Sequence, residues 1–369
     1  MASRLPADSH LDGKCPTLSR VGIRIREFAI KTITAMRLSA AFCACLPLFA
    51  VSQIPVTDTT ARETLGFALQ PWDSPLERIV VMDRVDLDTT YQLYVARSSD
   101  GGATWTTPSP ALATGMYESH GSLIQTGENA YLLLYSTMSD DGLRINRATS
   151  TNAEDFTIEG PVELGWGEPG SIRPRAVRLP GGRIVMVYDR PLDAPAYVSW
   201  SDDDGASWDT SKVQIAPAGA QYARITWREA DDRFLVTYST SEQDGSSRLW
   251  ARTSTEIDDW SDPPTEISSG DGDFLSTPLA LDDGEFAVFW GQSVGSDVQL
   301  FSSHSETGQE WSEARQHTFT GGGINMAPSG LDAGEGCVDL YWTLDDTQVF
   351  EDIVHDLICL DPLFEDQFQ

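Results

Sequence analysis

The chain has 369 residues and a formal net charge of −31 at pH 7, from 25 Lys and Arg against 56 Asp and Glu. So strong a negative field repels nucleic acid and anionic membrane surfaces, and it excludes both as expected partners. The length allows an ample hydrophobic core but does not fix the number of domains, because a repeat protein of this size can form one domain.

The first 52 residues differ in composition from the rest. They carry seven of the 25 basic residues and three of the 56 acidic ones, and a 13-residue apolar stretch, residues 38–50, follows the basic region. Small residues at a cleavage site come next, a pattern typical of a secretory signal and too short to span a membrane. We predict that residues 1–52 are a leader removed on export to the medium or the periplasm, with a buried core helix as the alternative. Met36 is a more typical start than Met1, so both starts stay open.

Two markers recur along residues 53–369 with a period of about 52 residues. Large aromatic residues end polar turns, and strand-like apolar runs precede those turns. A period near 50 residues is typical of a propeller or a solenoid. The aromatic residues are Trp105, Phe156, Trp208, Trp260 and Trp311, and the apolar runs begin at Arg78, Ala130, Arg183, Arg233, Glu285 and Cys337.

The third repeat shows the structural unit most clearly. It contains four short runs rich in β-branched and aromatic residues, residues 173–179, 183–189, 196–201 and 213–216, with Gly, Pro, Asp and Ser between them. Such runs are typical of strands, and no helical periodicity follows residue 60. We predict an all-β fold over residues 53–369, a six-bladed β-propeller of four-stranded antiparallel blades.

Alternate repeats resemble each other more than neighbouring ones do. Repeats one and three share Val-x-Asp-Arg at residues 81–84 and 187–190, and repeats two and four share Tyr-Ser-Thr at residues 135–137 and 238–240. This pattern indicates a two-blade unit that is present three times.

The last repeat has little chain left for a fourth strand. Residues 52–57 can supply that strand and close the ring, which removes exposed strand edges. If runs 337–344 and 353–360 pair as a hairpin, Cys337 lies nearly opposite Cys359, close enough for a disulfide. Export permits such a bond, and two free buried thiols are the alternative.

Two of the turns share the pattern Ser-x-Asp-x-Gly-x-Thr/Ser-Trp, at residues 98–105 and 201–208, and residues 304–311 are a degenerate copy. In such a turn the Asp can accept hydrogen bonds from the backbone, the glycine supplies an unusual dihedral, and the Trp packs between sheets. These turns resemble the Asp boxes, or BNR repeats, of the sialidase superfamily. Because they lie between third and fourth strands at the periphery, we expect them to be structural and to bind no metal.

Propellers bind ligands around the central axis, which the first strand of each blade lines. The candidate positions are therefore residues just before and within each first strand. We place these six entrances at residues 70–73, 117–120, 171–175, 221–224, 273–277 and 323–329.

The resemblance implies a specific site, since sialidases bind a substrate carboxylate with three arginines and use a Tyr nucleophile, an activating Glu and an Asp acid/base. Arginine forks suit carboxylates, and a neutral phenol avoids repulsion with that carboxylate. Residues 172–175 (IRPR) resemble the family's Arg-Ile-Pro motif without its isoleucine, and the entrances of the last two repeats hold no third arginine. The expected substrate-binding residues are Arg173, Arg175, Arg224 and His120, and the expected catalytic residues are Tyr222 as nucleophile, Glu118 as activator and Asp73 as acid, with Tyr117 and Asp273 as alternatives.

These residues favour an exported, sialidase-like glycoside hydrolase that acts on extracellular glycans as a monomer, without metal or cofactor. The alternative is a noncatalytic propeller that binds glycan or protein and retains its Asp boxes. Under that alternative the arginines form salt bridges with surface acids, and His120 and Tyr222 pack as ordinary channel-lining residues.

Overall fold

The computed structural model describes residues 53–59, 61–85, 90–112, 114–139, 142–167, 169–190, 194–242, 246–268, 274–319, 323–345 and 351–360. The predicted leader, residues 1–52, and the alternative acid Asp273 lie outside these residues, so both stay predictions.

The described residues form an all-β fold with one short 3₁₀ helix, Glu229–Asp231. Each repeat supplies strands in the predicted order, and the second strands begin within one residue of the predicted runs. The strands are β1 (Ile54–Pro55), β2 (Arg62–Leu69), β3 (Arg78–Val85), β4 (Tyr91–Ser98), β5 (Ser109–Pro110), β6 (Tyr117–Gly127), β7 (Ala130–Ser139), β8 (Gly142–Ser150), β9 (Thr157–Pro161), β10 (Ile172–Arg178), β11 (Ile184–Asp189), β12 (Ala196–Ser201), β13 (Val213–Gln214), β14 (Ala220–Arg228), β15 (Arg233–Ser241), β16 (Ser247–Ser254), β17 (Thr265–Ser268), β18 (Phe274–Ala280), β19 (Phe286–Val294), β20 (Asp297–Ser305), β21 (Arg315–Gln316), β22 (Ile324–Gly334), β23 (Cys337–Asp345) and β24 (Asp352–Cys359).

The strands form four separate four-stranded antiparallel sheets, β2–β5, β6–β9, β10–β13 and β14–β17, and one eight-stranded sheet. The prediction of four-stranded blades in a propeller arrangement is confirmed for the four, but the prediction of six separate sheets is wrong. A parallel bridge between Val298 and Ile324 joins the last two groups of strands, and the Val298 amide donates to Gly323 O at 3.2 Å. Gly291 permits this approach, because a Cβ there would lie 3.2 Å from the Asn325 carbonyl oxygen.

The first strands β2, β6, β10, β14, β18 and β22 contact one another in that order around one axis, and β22 contacts β2. Apolar side chains fill the space between successive sheets. At the point where the ring closes, Val80 and Met82 of β3 pack in one buried cluster with Tyr341 and Ile353. The apolar core is therefore divided among the interfaces between sheets. Packing of this core does not account for the polar side chains near the axis.

The two ends of the propeller chain meet in one sheet. Strand β1 pairs with β24, so that Ile54 lies opposite His355 as the outer strand, which confirms the prediction for residues 52–57. Cys337 and Cys359 are directly opposite on β23 and β24 and form a disulfide, which decides between the bond and two free thiols.

The two good copies of the box pattern have the same hydrogen bonds. In the first, Asp100 Oδ1 accepts from the Thr104 amide at 2.9 Å, and Trp105 Nε1 donates to Gly102 O at 3.0 Å. In the second, the corresponding bonds to Asp203 and from Trp208 are 2.8 and 3.1 Å long. Both turns follow a third strand at the sheet end where the first strand finishes, so they lie away from the end where the first strands begin.

Candidate functional site

Each of the six first strands carries a two-residue β-bulge at the same place. The pairing with the second strand skips residues 65–66, 120–121, 173–174, 222–223, 275–276 and 327–328. The first bulge residue has a left-handed backbone, with φ from 53° to 57°, at His120, Arg173, Tyr222, Leu275 and Ala327. Bulges and strained non-glycine residues re-aim side chains and cluster at functional sites, so this ring of bulges is the candidate site.

Two buried aspartates hold the bulges of the next sheet in place. Asp83 on β3 accepts the amide hydrogen of His120 with both oxygens, at 2.8 and 3.1 Å. Asp189 on β11 accepts from the amides of Tyr222 and Ala223 at 2.7 and 3.2 Å. Both side chains are essentially inaccessible to solvent. The aspartates shared by repeats one and three therefore fix the backbone of the residues that we predicted to lie at the site.

Burial governs the ionisation of these two carboxyls. It raises the pKa of Asp83 to about 8, although the His120 amide and the charges of Arg175 and Arg224 act in the opposite direction. Burial also raises the pKa of Asp189, against the charges of Arg173 and Arg224. On the alternate repeat, Ser136 replaces the aspartate, and its Oγ accepts from the Arg173 amide at 2.9 Å.

Arg175 and Arg224 face one axial cavity of about 200 Å³. Each side chain is about 6% exposed, and each donates only to backbone carbonyls: Arg175 to His120, Gly121 and Pro174, and Arg224 to Ala223. Within the part of the chain that the structure describes, neither guanidinium forms an ion pair with a carboxylate. Burying an unpaired charge is expensive, so this pair is suited to receive an anion.

Burial also sets the ionisation of this arginine pair. It lowers the pKa of Arg224 to about 10, with the charge of Asp189 opposing the shift. Burial lowers the pKa of Arg175 well below its ordinary value, and the neighbouring charge of Arg224 lowers it further. The negative charge of a ligand carboxylate between the two would oppose the lowering of both pKa values.

Arg173, in the bulge of β10, contacts Tyr222. Its guanidinium carbon is 4.2 Å from the centre of the Tyr222 ring, and its Nη1 is 3.3 Å from Asp189 Oδ2. The structure thus brings Arg173, Tyr222 and Asp189 together, although Arg173 is ion-paired and so differs from Arg175 and Arg224.

His120 occupies the equivalent bulge position on β6 and is half-buried. Its Nδ1 lies 2.7 Å from the Ser119 hydroxyl. Burial, and then the charges of Arg175, Arg173 and Arg224, hold the pKa of His120 well below 6.5. The imidazole is therefore neutral near pH 7 and can accept a hydrogen bond.

The predicted activator Glu118 does not meet the predicted nucleophile. Its Oε1 accepts from the Thr114 hydroxyl, and its other oxygen is buried without a hydrogen-bond partner. Burial raises the pKa of Glu118 despite the bond from Thr114. No hydrogen bond among the described residues joins Glu118 to Tyr222, and the alternative phenol Tyr117 packs on Tyr91 with ring centres 5.3 Å apart.

The placement of Asp73 at a first-strand entrance is wrong. Asp73 follows β2 and is exposed in the turn before β3, where its Oδ1 accepts from Gln125 Nε2 at 3.2 Å. That turn lies at the same sheet end as the boxes, since the Gly101 amide donates to Leu76 O at 2.8 Å. The first strand of repeat one begins at Arg62. The sequence did not predict this strand, because Glu63 and Gly66 interrupt its apolar pattern.

Sequence reasoning also missed Asp83 and Asp189, which make the most direct contacts with the bulges. The signal was present, because Asp-Arg recurs at the same place in repeats one and three. A charged residue inside two otherwise apolar second strands indicates a buried polar role.

The described residues contain no cluster of three or more His, Cys, Asp or Glu side chains able to hold a metal ion. Nor do they include a helix with the length and apolar character needed to traverse a lipid bilayer.

No protein-family model matches the sequence, and no curated protein sequence shows significant similarity to it. Solved structures resemble its fold. A protein of unknown function from Dyadobacter fermentans has a TM-score of 0.69 and 13% identity, over 85% of this chain and 100% of that one.

Two glycan-cleaving enzymes are also similar. The NanB sialidase of Streptococcus pneumoniae, in a mutant form, has a TM-score of 0.63 at 11% identity, over 85% of this chain and 71% of its own. An α-L-arabinofuranosidase from Fusarium graminearum has a TM-score of 0.64 at 13% identity, over 84% and 97%. At such identities the likeness establishes the fold alone: this chain is a β-propeller of the kind found in sialidases and arabinan-degrading enzymes.

Proposed function

We propose that this protein binds the carboxylate of an acidic sugar at Arg175 and Arg224 and hydrolyses its glycosidic bond, as a sialidase-like glycoside hydrolase. The observation that carries the proposal is this arginine pair, buried, facing one cavity and lacking a carboxylate partner among the described residues. A planar carboxylate can take paired charged hydrogen bonds from such groups. Arg173 and His120 complete the binding site from the bulges above.

In this proposal Tyr222 is the nucleophile. Asp189 fixes its strained backbone, and the guanidinium of Arg173 lies over its ring. A phenol also approaches a carboxylated sugar with less repulsion than a carboxylate would. Glu118 lies beside Thr114, and Asp73 cannot serve as the acid because it lies at the opposite sheet end.

The same separation of Glu118 from Tyr222 favours the second candidate, a noncatalytic glycan-binding propeller. Both candidates share the arginine site, so they differ in cleavage and not in recognition.

The whole molecule in this proposal is an exported monomer. Its eight-stranded sheet counts as two blades, β18–β21 and β22–β24 with β1, which gives a six-bladed ring with Asp boxes on the face away from the site. The signal-like residues 38–50 and the disulfide support export.

Hydrolysis of fluorogenic sialosides, uronides and arabinofuranosides tests the proposal, together with calorimetric binding of the free sugars. We expect cleavage of an acidic glycoside that Arg224→Ala and Tyr222→Phe each reduce about 100-fold or more. Arg183→Ala is the matched control, because Arg183 is an exposed arginine paired with Asp202 at the other sheet end.

Each other result has a definite meaning. Binding that depends on Arg224 without any cleavage establishes the noncatalytic candidate. Activity unchanged in Arg224→Ala removes the carboxylate site, and a wild type that neither binds nor cleaves any acidic sugar overturns the proposal.

A further inference from the structure

A second group of cations lies on the same face as the candidate site, further from the axis. Arg190 follows β11, whose last residue Asp189 pairs with Ile172 at the start of β10. Lys212 precedes β13, which pairs with the beginning of β12 at Tyr197 and Val198. Arg190 therefore lies at the sheet end where Arg173 and Tyr222 lie, and Lys212 lies beside the middle of β12, on the outer edge of the same sheet.

Arg190 and Lys212 share one aromatic ring. The Arg190 guanidinium carbon is 4.1 Å and the Lys212 Nζ is 4.7 Å from the centre of the Trp166 ring. Tyr188 fixes that ring, since its hydroxyl oxygen accepts from Trp166 Nε1 at 3.1 Å. Trp166 also lines a cavity of about 100 Å³ together with Arg144, Glu163 and Ser171. Ser171 directly precedes β10 and so connects this cavity to the candidate site.

A comparison of repeats one and three shows that Arg190 lacks a partner that its equivalent has. Arg84 holds the same place in the Asp-Arg motif and lies 3.7 Å from the carboxylate of Glu63, opposite it on β2. The residue corresponding to Glu63 is Ser171, which has no charge. Arg190 accordingly has a buried Nη1 with no hydrogen-bond partner.

These cations are unusual in so acidic a chain. Residues 53–369 hold 18 basic and 53 acidic residues, and Lys212 is the one lysine among them. No ion pair joins Arg144, Arg190 or Lys212 to a carboxylate within the described ranges. The acidic group at this cavity is Glu163, which is exposed on its lining.

We propose that the surface around Trp166, where Arg190 and Lys212 lie over the ring and Arg144 lines the adjoining cavity, is an outer subsite for a second acidic unit of a polyanionic glycan. The first acidic unit binds the axial arginine pair, so for the binding of that unit the inference rests on the proposed function. The natural ligand is then an oligomer of acidic sugars, and not one terminal acidic residue.

Binding of monomers and trimers of sialic acid and of galacturonic acid tests this subsite. In one of the two series we expect the wild type to bind the trimer about tenfold more tightly than the monomer, as the exposed Lys212 and the partly buried Arg190 permit with modest pair energies. The double variant Arg190→Gln/Lys212→Gln should lose that gain and keep its affinity for the monomer. Glu163→Gln should strengthen binding of the trimer, since it removes the opposing charge.

Because Arg190 is partly buried, the single variant Lys212→Gln provides a test at an exposed position, where we expect about a threefold loss for the trimer. Equal affinity of the wild type for trimer and monomer, or a gain that survives in the double variant, overturns the subsite. If the monomer still binds through Arg224 in that case, the proposed function stands and this inference alone fails. If no acidic sugar of either length binds, both fail.

A single-stranded DNA oligonucleotide of matched charge serves as the competing polyanion. Binding equal to that of the trimer, and equally dependent on Arg190 and Lys212, would show a general anion surface and overturn the assignment to a glycan.

Discussion

At the scale of single residues, Arg224 is a buried charge that forms no ion pair with a carboxylate among the described residues. Its side chain is about 6% exposed, and its one hydrogen bond among the described residues goes to the Ala223 carbonyl. Replacing buried ionic groups by apolar ones of similar volume is often stabilising. We predict that Arg224→Met raises the free energy of unfolding by about 1 kcal/mol or more while it abolishes binding of acidic sugars.

Urea unfolding of the two proteins measures this difference. Arg228→Met is the control, because Arg228 is equally buried but is ion-paired with Asp231, so its replacement should destabilise. A loss of stability in Arg224→Met would show that the protein without ligand already compensates the charge of Arg224.

Asp83 gives a prediction about pH. Its folded pKa of about 8 lies above the ordinary value of 3.8, so the folded state holds this proton more tightly than the unfolded chain. The stabilisation from Asp83 is therefore complete at low pH and is lost as the pH rises from about 4 through about 8. We predict that wild type loses stability relative to Asp83→Asn over this range, by at most about 1.4 kcal/mol per pH unit.

Denaturant unfolding at intervals between about pH 5 and 9 measures both slopes. Asp258→Asn, at an exposed position, controls for the loss of one negative charge. Parallel curves for wild type and Asp83→Asn would mean that Asp83 is ionised throughout.

At the scale of elements, the box turn depends on a glycine that two constraints fix together. Gly205 has φ of 86°, and a Cβ there would lie 2.4 Å from Leu132 Cδ2 in the neighbouring sheet. Gly219 has φ of 84° but nothing within 4 Å of such a Cβ. We predict that Gly219→Ala costs about 1 kcal/mol from backbone strain, and that Gly205→Ala costs a further 1–3 kcal/mol, roughly, from overpacking.

Thermal or urea unfolding of the two alanine variants separates these contributions. Similar losses in both would show that the contact with Leu132 relaxes freely and that the turn needs glycine for its dihedral alone.

The strands also differ in how well they could be predicted from the sequence. Second strands such as Ala130–Ser139 are apolar over most of their length, so their starts and their period were predictable. The first strand of repeat one was not, since its buried Glu63 and its bulge break the alternation on which strand prediction depends. The error for Asp73 followed from that missed strand. The partners of Asp83 and Glu118 depend on contacts between sheets, which the order of residues along one strand does not specify.

At the scale of the molecule, the bond between Cys337 and Cys359 tests whether the ring unfolds as a unit. The two residues are 22 apart in sequence and lie on β23 and β24, next to the strand that closes the ring. A crosslink over a loop of this size is worth about 3 kcal/mol. We predict that Cys337→Ser/Cys359→Ser lowers the melting temperature of the whole propeller in a single transition. A second, separate transition would show that the last sheet melts alone.

The joining of the last two groups of strands into one sheet could not be predicted from the sequence, because the repeat period gives no indication of a bridge between Val298 and Ile324. What the period did specify is the repeated position of the first strands, and with it the place where Arg173, Arg175, Tyr222 and Arg224 gather.

The pairing of β1 with β24 determines when the molecule can be completed. Thr57 donates to Asp352 across 295 positions of the chain, so β1 has no partner strand among those described until β24 has been synthesised. Until then the edge strands at both ends of the growing set of sheets remain unpaired and can pair with other chains. Truncation shortly before residue 352 should therefore leave a product that self-associates, although every described strand that lines the candidate site is already present.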